Sequence, residues 1–288
     1  MACIPSVTLN TALKMPLFGL GTHKAVGYSN VYRMLDEALK LGYRLIDTAA
    51  VYRNEEDIGT CLKELLPKYG LNRSDIFITS KLAPKDQGEG AAYKACVKSI
   101  ERLECEYLDL YLIHWPGKQK LKPHDVRNRQ FRMESWLDLE KLLNDGLVKN
   151  IGVSNYNVRH LDDMLTYSTI PPAVLQVEYH PLLVQKDLVA WCQKQQVHLQ
   201  AYRSIAIEEG RSDPLVIGVA EKHAKTVSQV LLKWAIQQDI GVIPKSTNED
   251  HLKENIDIWD FDLTQDEITD LEKLHKGTRF CWDPTPMA

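Results

Sequence analysis

The 288-residue chain has no apolar run approaching the length needed to span a bilayer. Its N-terminus, MACIPSVTLN, lacks the basic-then-apolar pattern of a secretion signal. Six cysteines (Cys3, Cys61, Cys96, Cys105, Cys192 and Cys281) form no C-x-x-C pair and no cluster with histidine at zinc spacing, so no metal site is expected. Scattered cysteines in a chain this size read as reduced thiols. Together these absences lead to the expectation of a cytoplasmic protein with no membrane partner. Asn72-Arg73-Ser74 matches the glycosylation acceptor pattern, which means nothing without secretion. There is also no long basic run: 35 basic residues face 39 acidic ones for a net charge of −4. Non-specific nucleic-acid binding is thereby disfavoured, and an anionic ligand would need a local positive pocket. No Pro/Gly/Ser-rich linker divides the chain, and no dimerisation segment is evident. One domain over residues 1–288 and a monomeric state are the expectations.

Eight short apolar runs are present: Leu17 to Leu20, Leu45 to Asp47, Ile76 to Thr79, Leu108 to Ile113, Val148 to Val153, Val174 to Val177, Val197 to Tyr202 and Ile240 to Ile243. Runs this short and continuously apolar suit strands buried on both faces of a parallel sheet. Between them lie helical patterns. Val31, Met34, Leu35, Ala38 and Leu41 share one face, as do Ile58, Leu62, Leu65, Leu66 and Tyr69, and Val227, Val230, Leu231, Trp234 and Ala235. Thr264 and Glu267 have capping-box spacing before Ile268, Leu271 and Leu274. Eight strand–helix alternations predict an α/β fold, a single (β/α)₈ TIM barrel of the usual length of about 250 residues. Val7 to Met15 reads as a β-hairpin closing the bottom of the barrel. A doubly wound dinucleotide fold is the weaker alternative, because Gly19 and Gly21 are followed by Lys24 where the third glycine of G-x-G-x-x-G belongs.

Polar residues then gather where the apolar runs stop: Asp47, Lys81, His114, Ser154 with Asn155, Gln176, Tyr202 and Lys245. In a barrel these ends share one rim, where active sites are built. Each residue alone has a plain explanation as a cap, a solvated cation or a satisfied buried group, and their convergence is harder to explain as packing. The set suits reduction of a carbonyl, which needs hydride at carbon and a proton at oxygen. A free tyrosine has a pKa of about 10. A lysine cation beside Tyr52 favours tyrosinate and is expected to lower that value; an aspartate keeps the lysine charged; a histidine orients the carbonyl oxygen.

Gly42-Tyr43-Arg44-Leu45-Ile46-Asp47-Thr48-Ala49, followed by Tyr52, Asn54-Glu55 and Ile58-Gly59, resembles the aldo-keto reductase signature without a gap. The resemblance continues through Thr79-Ser80-Lys81-Leu82, Asp109 to Pro116, Ile151 to Asn155, Gln176 to Pro181 and Ile243 to Ser246, so it covers essentially the whole chain. It implies an oxidoreductase using NADPH/NADP⁺, with NADH weaker, on a small-molecule carbonyl substrate. Tyr52 would be the general acid, Lys81 and Asp47 its tuning pair, and His114 the orienting residue. Ser154, Asn155 and Gln176 would bind the nicotinamide carboxamide and Tyr202 would stack on its ring. Gly21, Thr22, Asp47, Arg203, Ser204 and Asn248 would also meet the cofactor. Lys245 and Ser246 would meet the 2′-phosphate, Asn248 would cap the helix carrying His251, and Glu254 and Asn255 would hold the adenine. Substrate would touch His23, Tyr52, His114 and Trp115.

The sequence also departs from that pattern. His251 stands where many members carry arginine, and imidazole is a weaker, pH-dependent phosphate ligand. His23 and Ala83 stand where many carry tryptophan, and Arg203 where a serine is common. Gly117 to Arg132 reads as a modest loop, Ser204 to Asp213 as a short one, and the tail after Phe280 as brief. A shorter rim implies a shallower, more open site that accepts reactive aldehydes and dicarbonyls such as methylglyoxal. Two other readings stay open: a non-catalytic nucleotide-binding sensor, and a barrel enzyme using Lys81 as a Schiff-base nucleophile.

Overall fold

A computed structural model describes residues 4–206 and 208–288, so Cys3 lies outside the described residues. The chain opens with two short antiparallel strands, β1 (Ser6–Thr8) and β2 (Lys14–Pro16), in register with Val7 opposite Met15. Eight parallel strands follow: β3 (Leu20–Gly21), β4 (Leu45–Asp47), β5 (Phe77–Leu82), β6 (Leu110–Ile113), β7 (Ile151–Ser154), β8 (Val174–Glu178), β9 (His198–Tyr202) and β10 (Gly241–Val242). Each pairs with its sequence neighbour. The sheet curls until its ends meet: Phe18 bridges Val242 in parallel, and the Gly19 N–H donates to the Val242 carbonyl at 2.9 Å. This is the expected barrel. Nearly every strand position is buried, which is why the sequence shows continuous apolar runs rather than alternation.

Two apolar layers hold the barrel. Outside the sheet, the helix Tyr28–Leu41 buries Val31, Met34, Leu35 and Ala38, and the helix Glu55–Lys68 buries Ile58, Leu62 and Leu65, on the predicted faces. Gly42 stops the first of these helices at φ +100°, a left-handed conformation that glycine takes at little cost. Inside the barrel, Leu45, Phe77, Leu110, Leu112, Val174 and Ile243 pack with Leu9 and Met15 of the hairpin. The hairpin therefore plugs the end at which the strands begin, leaving the opposite rim for chemistry.

Several boundaries differ from expectation. Leu108 and Val148 pair only as an isolated bridge, and regular pairing starts at Leu110 and Ile151. The segment read as a loop to Arg132 turns helical at Arg127, the start of the helix Arg127–Asn144. The reason is local: the Asp125 carboxylate accepts from the Arg127 N–H at 3.0 Å and pairs with its guanidinium at 2.6 Å, which fixes the first turn. The predicted capping box at Thr264 and Glu267 is present, but its helix, Gln265–Glu272, ends before Leu274. Among the described residues no helix is long and apolar enough to cross a membrane, and no His/Cys/Asp/Glu cluster could hold a metal.

Candidate active site

Adjacent strand ends bring the polar residues together. Lys81, at the end of β5, has no solvent exposure, and its Nζ donates to Asp47 Oδ1 at 2.5 Å and to the Thr48 carbonyl at 2.9 Å. Asp47 ends β4, the strand paired with β5, so backbone register alone places the two ends together. The other Asp47 oxygen accepts from Gln176 Nε2 at 2.7 Å, and that amide also donates to Gln200 Oε1 at 2.8 Å. Burial pushes the Lys81 pKa down, but Asp47 and the Tyr52 phenol outweigh it and raise it. Lys81 is therefore a fixed ammonium rather than a free amine, which argues against a Schiff-base role.

Tyr52 sits on a short 3₁₀ turn, Ala50–Tyr52, directly after β4. The Lys81 ammonium lies 5.1 Å from its ring centre. His23 and His114 flank the same ring with centroids 5.0 Å and 5.7 Å away. The expectation that Lys81 lowers the phenol's pKa requires correction. Burial is the larger influence and raises the pKa; Lys81 pulls the other way without reversing it. The phenol is thus held protonated. Burial, helped by the Lys81 charge, pushes His114 well below its ordinary pKa, so its ring is neutral, and His114 Nδ1 is buried without a hydrogen-bond partner among the described residues. Trp115 stacks on His114 with centroids 6.3 Å apart.

These groups open into a cleft of about 630 Å³. Gly21, Thr22, His23, Asp47, Tyr52, His114, Trp115, Ser154, Asn155, Gln176, Tyr202, Arg203, Ser204 and Lys245 all line it. Thr22 commits its hydroxyl to the Asp47 carbonyl at 2.9 Å. Gly21 must lack a side chain, since a Cβ there would lie 2.7 Å from the Ile243 carbonyl oxygen. Asn155 follows β7 in the left-handed region at φ +62°; its amide donates to the His114 carbonyl at 2.9 Å and its oxygen accepts from Tyr202 O–H at 2.6 Å. Asparagine tolerates that backbone better than most residues, and strained positions of this kind concentrate at functional sites.

One side of the cleft carries uncompensated positive charge. The His23 pKa is lowered by burial first and then by Lys24, Arg203, Lys81 and Lys245. Lys245 is exposed, makes no ion pair among the described residues, and has its pKa lowered by burial and by Lys24. An anion would relieve that repulsion. Ser246, Asn248, His251, Glu254 and Asn255 lie just beyond Lys245, outside the cleft lining. Asn248 caps the helix Glu249–Ile256 by accepting from the His251 N–H at 3.1 Å, as predicted. Asn255 is buried, and Glu254 already accepts from Thr226 Oγ1 at 2.7 Å.

Sequence reasoning missed the C-terminal tail. Phe280, Cys281 and Trp282 line the cleft together with Val51 and Ile205. Glu178, at the end of β8, anchors the tail by accepting from the Phe280 N–H at 2.7 Å and the Cys281 N–H at 3.0 Å. His180 holds the same carboxylate at 3.0 Å, and Arg203 Nε contacts Cys281 Sγ at 3.0 Å. The only available signal was the aromatic pair in Arg279-Phe280-Cys281-Trp282, in a segment otherwise rich in Pro, Thr and Asp.

Residues 17–210 and 212–276 match the model of the Aldo/keto reductase family. The chain is 42% identical over 274 residues to the glyoxal reductase of Bacillus subtilis, covering 95% of this chain and 94% of that protein. Among solved structures, an aldo/keto reductase from Brucella melitensis is similar at 36% identity and a TM-score of 0.86, covering 94% of this chain and all of that one. The aldo-keto reductase of Bombyx mori, solved in complex with NADP, is similar at 31% identity and a TM-score of 0.89, covering 97% and 95%.

Proposed function

The chain belongs to the aldo/keto reductase family, and from that premise we propose that this oxidoreductase reduces aldehydes, ketones and dicarbonyls to alcohols with NADPH, Tyr52 giving the proton. When bound, NADPH supplies the hydride for the carbonyl carbon. The residues fit such a cofactor: Ser154 offers its hydroxyl and Asn155 and Gln176 their side-chain oxygens, their amide N–H groups being used within the protein, Tyr202 offers a ring face, and the positive charges of Lys245 and Arg203 suit phosphate. Lys245 and Ser246 would favour the 2′-phosphate, with His251 and Asn248 beside them.

The protein's own part is to orient the carbonyl and move one proton. A carbonyl oxygen between Tyr52 and His114 accepts one hydrogen bond from each. Because the His114 ring is neutral, it polarises the oxygen without competing as an acid. As negative charge grows on the oxygen, the Tyr52 O–H transfers its proton, and the Lys81 ammonium stabilises the tyrosinate left behind. Asp47 and the Thr48 carbonyl keep that ammonium in place. The observation that carries this reading is the wholly buried Lys81–Asp47 pair beneath a protonated Tyr52 at the mouth of the cleft. The relative from Bacillus subtilis supports small dicarbonyls as substrates.

The test is NADPH oxidation with methylglyoxal and simple aldehydes, for the natural protein and Tyr52→Phe. General acid catalysis is worth roughly 10²- to 10⁴-fold, so the variant should lose that much kcat while still binding NADPH. An inactive natural protein, or a fully active variant, overturns the proposal.

A further inference from the structure

Beside the cleft lies a second cavity of about 730 Å³, which shares Val51, Trp115 and Trp282 with it. The two indoles stand between the cavities with centroids 5.0 Å apart. Ala83, a single methyl group, lines this second cavity. The wall carries Arg53, Lys85, Lys118 and Lys120 and, among the described residues, no carboxylate.

Lys118 is tethered: its ammonium donates to the Gln87 carbonyl and lies 4.3 Å from the Phe131 ring centre. Arg53, Lys85 and Lys120 are exposed. Among the described residues these three make no ion pair and no side-chain hydrogen bond. Arg53 and Lys85 also line a neighbouring groove that holds Glu55, Glu56, Asp57 and Asp86; none of these carboxylates lines the recess itself. In a chain of net charge −4, four cations around one recess are a local inversion of sign. Arg53 follows Tyr52 directly and sits in the left-handed region at φ +58°, so the backbone that places the proton donor also directs a cation.

We propose that the favoured substrates carry a carboxylate joined to the aldehyde or ketone by a short chain. The carbonyl lies between Tyr52 and His114, the chain passes Trp115 and Trp282, and the carboxylate reaches Lys85, Lys120 and Arg53. The inference rests on the reductase reading of the cleft. Each exposed ion pair is worth about two- to five-fold, so a carboxylate meeting two or three cations gains roughly ten-fold.

The experiment compares kcat/KM at saturating NADPH for butanal, hexanal and octanal against the ω-oxo-carboxylates of the same length. The expected result is a roughly ten-fold preference for the acid at one intermediate length, shrinking in about 0.5 M salt, where charges are screened. Lys85→Glu with Lys120→Glu should abolish the preference and leave hexanal turnover unchanged. The neutral pair Lys85→Gln/Lys120→Gln serves if the reversal disturbs folding. Adipate alone should also change tryptophan emission in the cofactor-free protein, and this change should be lost in either double variant. Equal turnover of acids and neutral aldehydes by the natural protein overturns this proposal and leaves the reductase reading intact. Turnover of neither overturns both.

Discussion

Lys81 is a buried charge whose partners decide its role. Its ammonium is out of water and is compensated by Asp47, by the Thr48 carbonyl and by the nearby phenol. Removing one member of such a pair leaves an unmatched charge, at a cost of about 3 kcal/mol or more. Asp47→Asn should therefore lower the unfolding free energy by about that amount and nearly abolish reduction. Adding Lys81→Met to Asp47→Asn removes the stranded charge and should recover most of the stability but none of the activity. Denaturant melts of the single and double variants decide this; a double variant no more stable than Asp47→Asn would mean the pair is not what holds this part of the rim.

Among elements, the strands are the most regular feature and the tail after Phe280 the least. The strands position Asp47, Lys81, His114, Ser154, Gln176 and Tyr202 by register, because each parallel neighbour begins at a similar height. The tail has no such ladder and depends on Glu178. Burial would push the pKa of that carboxylate up, but His180 and the Phe280 and Cys281 N–H groups outweigh it and lower it. Glu178→Gln keeps the shape and loses the charge-assisted bonds. We expect the KM for aldehydes to rise about five-fold, equivalent to roughly 1 kcal/mol, with kcat little changed and Trp282 more open to quenching. An unaltered KM and an unaltered quenching curve would show that the tail is held by other contacts.

The whole molecule buries several histidines as neutral groups. Burial pushes His114 well below its ordinary value, and His160 and His198 down to about 4. In the unfolded chain each titrates near 6.5. Between roughly pH 6.5 and 4 the unfolded state therefore binds more protons than the native one, and stability falls as pH falls. Glu267, lowered to about 2 with burial opposed by Lys222, Thr264 and His223, adds to the loss below its ordinary range. The melting midpoint should drop on the order of 10 °C from pH 7 to pH 5. His198→Gln should flatten that slope; an unchanged slope would remove His198 from the explanation.

The sequence by itself determined the alternation of strands and helices, the hairpin plug, the capping of the helices at Asn248 and Thr264, and the identity of the rim residues. These follow from burial on both faces of short strands and from side chains that bond their own backbone, both of which leave a local mark. Only the tertiary structure decided the net direction of the Tyr52 pKa, because that direction depends on how much burial opposes Lys81. Only the tertiary structure brought Phe280 to Trp282 over the cleft, through hydrogen bonds to a carboxylate about a hundred residues away. It also gathered Arg53, Lys85, Lys118 and Lys120 around one recess. Arg53 and Lys85 have acidic neighbours in sequence, while Lys118 and Lys120 belong to a short lysine-rich stretch; an electric field is a sum over positions in space, so only the fold shows that these two groups meet.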